Sequence, residues 1–372
     1  MGNKKVKVAV GLSGGVDSSV TAALLKKEGY NVSGISMQIY DENIKIDVAG
    51  KNACYGPNKK KDLASAAAVC ETLGIPFYSI DLKKEFTENV IEYFRAEYLG
   101  GRTPNPCIVC NRILKFGFML SRARDAGVEF DKFATGHYAR IVNEDGRYLL
   151  KKPVDISKDQ TYFLYSLSQD QLSRIIFPLG NYNKPEVREI ARSIGLHTSE
   201  KPESQDFISG GDYTPFFNEG DINEGDIINK EGKVFGKHKG IIYYTVGQRK
   251  GLGIAAPNPL YVSEIDVENN RIIVTDQSEI MAKGLIAKDI NLISVDKFNE
   301  PIRANVKIRV QHKAAPALLT DLGGGKVEVI FDEPQLAITP GQSSVFYDGD
   351  TVLGGGIIEK SLVHGTGLKA QG

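Results

Sequence analysis

Through residues 1–205, short apolar runs alternate with stretches whose apolar positions recur every three or four residues. Residues 7–10 read as a buried strand. The helix after it carries Val20, Ala22, Ala23 and Leu24, with Gly29 placed as a left-handed stop. The pattern then predicts a strand over 32–37, a helix over 61–73 closed by Gly74, and a strand over 75–80. Leu63, Ala66, Ala67 and Cys70 share one face of that helix. Phe86, Val90, Tyr93 and Phe94 mark a third helix, residues 112–126 a fourth, and 133–137 a strand ending in Gly-His. A hairpin around 143–147 and a helix from Pro185 to a stop at Gly195 follow. Repeated βα units predict a parallel, doubly wound α/β sheet whose ligands gather at the carboxyl ends of its strands. Past residue 205 the pattern shortens to strands over 226–229, 233–235, 240–244, 261–266 and 271–275. Further strands are expected over 303–311, 326–331, 337–339, 343–347 and 356–357. The expected division is an α/β domain over 1–205, a small mostly-β central domain over 206–277 and a C-terminal β-barrel over 278–372.

Length and charge narrow the picture. A chain of 372 residues needs more than one core. Lys and Arg total 46, as do Asp and Glu, so a polyanion must be met by a local patch rather than by bulk charge. No apolar run approaches the ~20 residues of a membrane span. The N-terminal residues enter a strand without a leader-like stretch, so the expectation is a cytoplasmic protein with no membrane partner. Four cysteines in such a chain do not make a disulfide scaffold; they suggest chemistry, metal or packing.

Two stretches carry that chemistry. Gly11, Leu12, Ser13, Gly14, Gly15, Val16, Asp17, Ser18 and Ser19 join the first strand to its helix. The glycines let the backbone approach an anion, and the serine hydroxyls stand beside the N–H groups of the helix start. This is a phosphate cradle without the Gly-Lys-Ser/Thr of a Walker loop, and Asp17 is the nearest carboxylate able to meet magnesium. The second stretch is Pro106-Cys107-Ile108-Val109-Cys110-Asn111, a C-x-x-C at a helix start, where Cys110 is expected as a thiolate. With no second C-x-x-C and no His pair, structural zinc is a poor reading. Cys70 reads as core. Cys54 lies in a Gly/Pro loop where packing does not ask for a cysteine.

SGGVDSS, at 13–19, is similar to the loop of the PP-loop ATP pyrophosphatases. Taken with GRTPNP at 101–106, Cys110-Asn111, ATGHYA at 134–139, KDQTY at 158–162, TVGQRKGLG at 245–253 and TPGQ at 339–342, the chain resembles the bacterial tRNA 2-thiouridylases over nearly its whole length. The resemblance implies a PP-loop (adenine nucleotide alpha hydrolase-like) domain, a small central domain and a C-terminal barrel. It implies a reaction in which ATP adenylates the C2 oxygen of the wobble uridine in a tRNA anticodon stem-loop, releasing pyrophosphate. Sulfur then replaces the activated oxygen and AMP leaves.

By the same resemblance, ATP is met at positions 11–19, Met37 and Gly136, and Cys110 is the nucleophile. Asn105, Pro106 and Cys107 face the target base, and His137, Lys158, Asp159, Gln160, Arg309 and Gln342 touch tRNA. A sulfur donor is implied, such as a cysteine desulfurase or a sulfur carrier. Alternation through Val306, Ile308 and Val310 predicts that Lys307 and Arg309 face outward.

One departure stands out. The family's second catalytic cysteine usually follows the motif that here reads Lys201-Pro202-Glu203-Ser204-Gln205-Asp206, and it is missing, while Cys107 stands where many members have aspartate. Cys54, Cys107 and Cys110 are then candidate ligands of a [4Fe-4S] cluster with one open iron. The competing account is a persulfide within the C-x-x-C pair or on Cys54, resolved as a disulfide. Two other readings stay open: a different PP-loop thiolase or ligase sharing only the cradle, and a non-catalytic tRNA-binding relative.

Overall fold

The apolar run Lys7–Gly11 forms β1, and the chain turns through its glycines into α1, Val16–Lys27. There follow β2 Asn31–Gln38, β3 Ala53–Tyr55, α2 Lys59–Leu73 and β4 Phe77–Asp81. Next come α3 Lys83–Phe86, a π-helical turn Thr87–Ile91 and α4 Glu92–Leu99. After them lie α5 Pro106–Val109, a π-helical stretch Cys110–Phe118 and α6 Met119–Asp125. β5 Lys132–Thr135 precedes the hairpin of β6 Arg140–Glu144 and β7 Arg147–Lys151, which turns at Asp145 and Gly146, both at positive φ. α7 Gln169–Arg174, β8 Ile175–Ile176, α8 Lys184–Ser193 and β9 Asp206–Ile208 complete this part. This computed structural model describes residues 6–46, 53–201, 206–208 and 211–362.

Five strands make a parallel sheet in the order β4-β2-β1-β5-β8, as the βα pattern requires. One face packs Val8, Val10 and Leu12 against Ala22 and Leu25 of α1 and Ala66 and Cys70 of α2. A Cβ on Gly34 would lie 2.4 Å from the Cys70 Sγ and 2.6 Å from Leu12 Cδ1, so the sheet surface under Cys70 has room only because position 34 has no side chain. On the other face, Phe133 meets Phe116 edge-on at 5.7 Å. The sheet is covered on both sides. β3 and β9 form a separate parallel pair, with Tyr55 stacked on Phe86 at 5.2 Å. At three residues each, neither strand gives a readable period.

The second half is β throughout. β10 Gly225–Ile228, β11 Val234–His238, β12 Tyr261–Asp266 and β13 Arg271–Thr275 form a four-stranded sheet in the order β11-β10-β13-β12. The remaining strands are β14 Met281–Leu292, β15 Ile302–Lys307, β16 Ala315–Gly323, β17 Lys326–Leu336, β18 Ser343–Asp348 and β19 Thr351–Leu362. They run in the order β14-β17-β16-β15-β18-β19, and β14 pairs with β19 to close a six-stranded barrel around Val306, Val329, Phe331 and Phe346.

Three expected strands need correction. Residues 240–244 hold a 3-10 turn, Ile241–Tyr243, entered through Gly240 at φ 142°. The strand expected over 303–311 stops at Lys307, and 337–339 is irregular because Ala337 sits at φ 54°, outside the extended region.

The described residues fall into two compact units. One takes in those up to Ile91, Pro106–Phe216 and Asp350–Val352; the other takes in Glu92–Asn105, Phe217–Gly349 and those from Leu353 onward. Among the described residues no helix is long and apolar enough to cross a membrane.

Candidate active site

Gly11, Met37 and Gly136 lie at the carboxyl ends of the adjacent strands β1, β2 and β5. Between them the cradle is tightly built. Ser13 N–H donates to Ser18 Oγ (3.2 Å), the Ser19 hydroxyl to Gly15 O (2.8 Å), and the buried Ser36 hydroxyl to Leu12 O (2.5 Å). Gly14 has φ 76°, and a Cβ there would lie 2.3 Å from Asp62 O. A Cβ on Gly136 would lie 2.7 Å from Ser18 N, so β5 closes on the first turn of α1 only through a glycine. Gly15 caps α1 without a side-chain bond, which leaves first-turn N–H groups pointing into the turn.

Asp17 departs from expectation. Its carboxylate accepts from Lys184 Nζ at 2.7 and 2.8 Å and from the Tyr138 hydroxyl at 2.9 Å. A carboxylate already neutralised by an ammonium does not fit a preformed magnesium ligand. Sequence reasoning missed Lys184, whose only signal is a cation at the first position of a Pro-containing helix start.

The thiols also differ from expectation. Pro106 starts α5, so Cys110 lies a full turn in, beyond the orphan N–H groups that would favour a thiolate. Burial pushes the Cys107 thiol up to about 12 and Cys110 up to about 11, with Lys115 pulling both down. Cys54 is exposed, Cys107 partly exposed and Cys110 buried, and charge on Cys54 disfavours charge on both of the others. The three therefore share one neighbourhood. Even so, among the described residues no three His, Cys, Asp or Glu side chains are grouped to hold a metal ion. The described side chains therefore lack the grouping that the expected iron–sulfur cluster would need. Cys70 is core, as read, with its thiol raised to about 11 by burial.

Lys115 was not singled out in the sequence. In a π helix the bonds run from i to i+5, which sets Lys115 one turn from Cys110. Beside them Asn111 is buried; its amide donates to Phe163 O (3.1 Å) while its own oxygen has no partner among the described residues. His137 accepts or donates through Nδ1 to Thr135 Oγ1 (2.6 Å) and packs on Phe116 and Phe177. Burial, helped by Lys115, holds its pKa well below 6.5, so it is neutral.

The residues expected on tRNA divide. Gln160 accepts from Tyr138 N–H (2.9 Å) through its side chain, and Asp159 accepts from Thr161 N–H (2.9 Å) and hydroxyl (2.6 Å). Both side chains therefore brace the turn that carries Lys158. In the other unit, Gln342 donates to Thr103 O (3.0 Å) and Pro104 O (3.2 Å), and Thr103 N–H donates to Pro340 O (2.9 Å). The TPGQ motif is thus the backboard of the 101–105 loop that ends in the buried Asn105. Arg309 is not on an outward strand face. Its guanidinium donates to Leu336 O (3.1 Å), at the end of β17, and to Ala337 O (3.3 Å) just after it, whereas Lys307 stays at the end of β15.

Three domain models match the chain in order: a tRNA methyl transferase HUP domain over 6–209, a tRNA methyl transferase PRC-barrel domain over 218–276, and an aminomethyltransferase β-barrel domain over 282–358. The fold is therefore that of a HUP-type nucleotide-binding protein with two β-barrel appendages. The chain is 50% identical to the tRNA-specific 2-thiouridylase MnmA of Acetivibrio thermocellus, over 95% of this chain and 99% of that one. It is 47% identical to that of Clostridioides difficile, over 96% and 99%, and 48% identical to that of Carboxydothermus hydrogenoformans, over 97% and 99%. The chain belongs to the tRNA-specific 2-thiouridylase family.

Proposed function

We infer that the chain is a tRNA-uridine 2-sulfurtransferase working in two steps. The observation that carries this reading is a lysine-free anion cradle at the strand ends, in the same unit as a C-x-x-C pair. In the first step ATP lies on positions 11–19, between Met37 and Gly136. The C2 oxygen of the wobble uridine attacks the α-phosphorus and pyrophosphate leaves with the bonding electrons. A C2 oxygen is a poor leaving group; as an AMP ester it is a good one. Magnesium enters with the triphosphate, because the Asp17 carboxylate is already held by Lys184.

In the second step sulfur arrives as a persulfide on one of Cys54, Cys107 and Cys110, delivered by a donor such as a cysteine desulfurase or sulfur carrier. Its terminal sulfur bonds to C2 as AMP departs. A second thiolate then attacks the carrier sulfur, leaving C2=S and a protein disulfide, which an external dithiol reduces. Cys110 takes the nucleophile's place and Lys115 favours its ionised form. ATP chemistry is assigned to 1–205 and tRNA docking to 278–372, in the cytoplasm. The test is mass spectrometry of wobble uridines from cells with and without this gene. Loss of 2-thiouridine is expected on deletion, and an unchanged level overturns the reading.

A further inference from the structure

The cradle has no lysine of its own, yet two lysines from distant sequence end on it. Lys184, the first residue of α8, is 8% exposed, and its Nζ lies 2.7 and 2.8 Å from the two oxygens of Asp17 in the first turn of α1. The Tyr138 ring lies 5.6 Å from the same Nζ, and the Tyr138 hydroxyl donates to the same carboxylate. Lys201 donates to Gly14 O at 3.0 Å and stands 3.9 Å from Asp62. Gly14 O also accepts from Ser65 (3.2 Å).

A carboxylate and a carbonyl oxygen are the wrong sign for an anion site, and an ammonium covers each of them. Lysine is rarely this buried without a reason. Its three donors and flexible stem allow one ammonium to keep a carboxylate while also meeting a phosphate oxygen. We propose that Lys184 and Lys201 are the cationic arms of the cradle, resting on Asp17 and Gly14 O and bearing on the pyrophosphate portion of the bound nucleotide. When the bond from the α-phosphorus to the bridging oxygen breaks, the electron pair passes to the departing pyrophosphate, where these charges stabilise it.

This inference rests on the adenylating reading above, and the test separates the two. Binding of inorganic pyrophosphate–magnesium is measured by calorimetry on the full chain, beside AMP release in the presence of tRNA, ATP and a persulfide donor. Lys184→Met is expected to weaken pyrophosphate at least tenfold and to slow AMP release about a hundredfold, Lys184→Arg to retain most of both, and Lys201→Met to weaken pyrophosphate severalfold. Asp17→Asn, which releases the Lys184 ammonium, is expected to bind pyrophosphate at least as tightly as the parent. Equal losses in Asp17→Asn and Lys184→Met would mean a purely structural pair and overturn the inference. A folded Lys184→Met protein that binds pyrophosphate as tightly as the parent would overturn it too, as would a folded Lys184→Arg protein that binds none. A parent protein that releases no AMP would instead overturn the adenylating reading itself.

Discussion

The thiols of Cys107 and Cys110 are shut off from water, and that sets their resting chemistry. With their thiols raised to about 12 and 11 by burial, both are protonated near neutral pH, and only Lys115 opposes this. Alkylation of Cys110 by iodoacetamide, followed by mass spectrometry, is therefore expected to quicken steadily as pH rises past about 9, the region where an ordinary thiol is already ionised. Lys115→Met should slow it at any fixed pH. A rate already at its plateau near neutral pH would contradict this. His137 titrates in the opposite sense. Burial depresses its folded pKa below 6.5, so its contribution to stability is present above about 6.5, the unfolded value, and is lost as pH falls. His137→Gln should flatten that acid loss in thermal melts. The sequence pointed to these residues as chemistry-bearing but misjudged their state, because ionisation depends on what packs around a thiol and not on its distance from a helix start.

The fit of α2 on β2 depends on one missing methyl group. Gly34→Ala would bring a Cβ to 2.4 Å from Cys70 Sγ, a crowding that costs about 1–3 kcal/mol. Cys70→Ala should recover part of it, a coupling that a double-mutant cycle in denaturant reads directly. Independent, additive effects would show that the helix moves freely away. In the other unit, Gln342→Ala removes two bonds that hold the 101–105 loop. Sulfur transfer is expected to fall about tenfold with ATP affinity unchanged, and a change in ATP affinity alone would contradict the buttress role. The parallel sheet was legible because its βα units repeat one period. The barrel was only partly so: β14 and β16 escaped notice, although the closing strand β19 surfaced as a two-residue fragment. Neither the π-helical path from Cys110 to Phe118 nor the seat of Lys184 on Asp17 leaves a pattern in the sequence. The first is a hydrogen-bond choice, and the second joins residues far apart in the chain.

A chain with 46 basic and 46 acidic residues must hold tRNA through local cations. Arg309 spends its guanidinium on the carbonyls of Leu336 and Ala337, so the salt-dependent interactions with phosphate are expected at Lys307 and the exposed Arg249 and Lys250. Replacing these three with alanine should reduce the log–log salt slope of tRNA binding by about 0.7–0.9 for each phosphate that is no longer neutralised. An unchanged slope would mean they are only solvated. How the nucleotide is cleaved decides the class of reaction. A cradle without a Walker lysine, in one unit with a thiol pair, is built to part ATP between its α- and β-phosphates. The decisive measurement is product analysis of purified protein with tRNA, ATP–magnesium and a persulfide donor. One AMP and one pyrophosphate are expected for each 2-thiouridine formed, and in Cys110→Ala pyrophosphate release without 2-thiouridine, the AMP staying on the adenylated tRNA. Release of ADP and phosphate would contradict this.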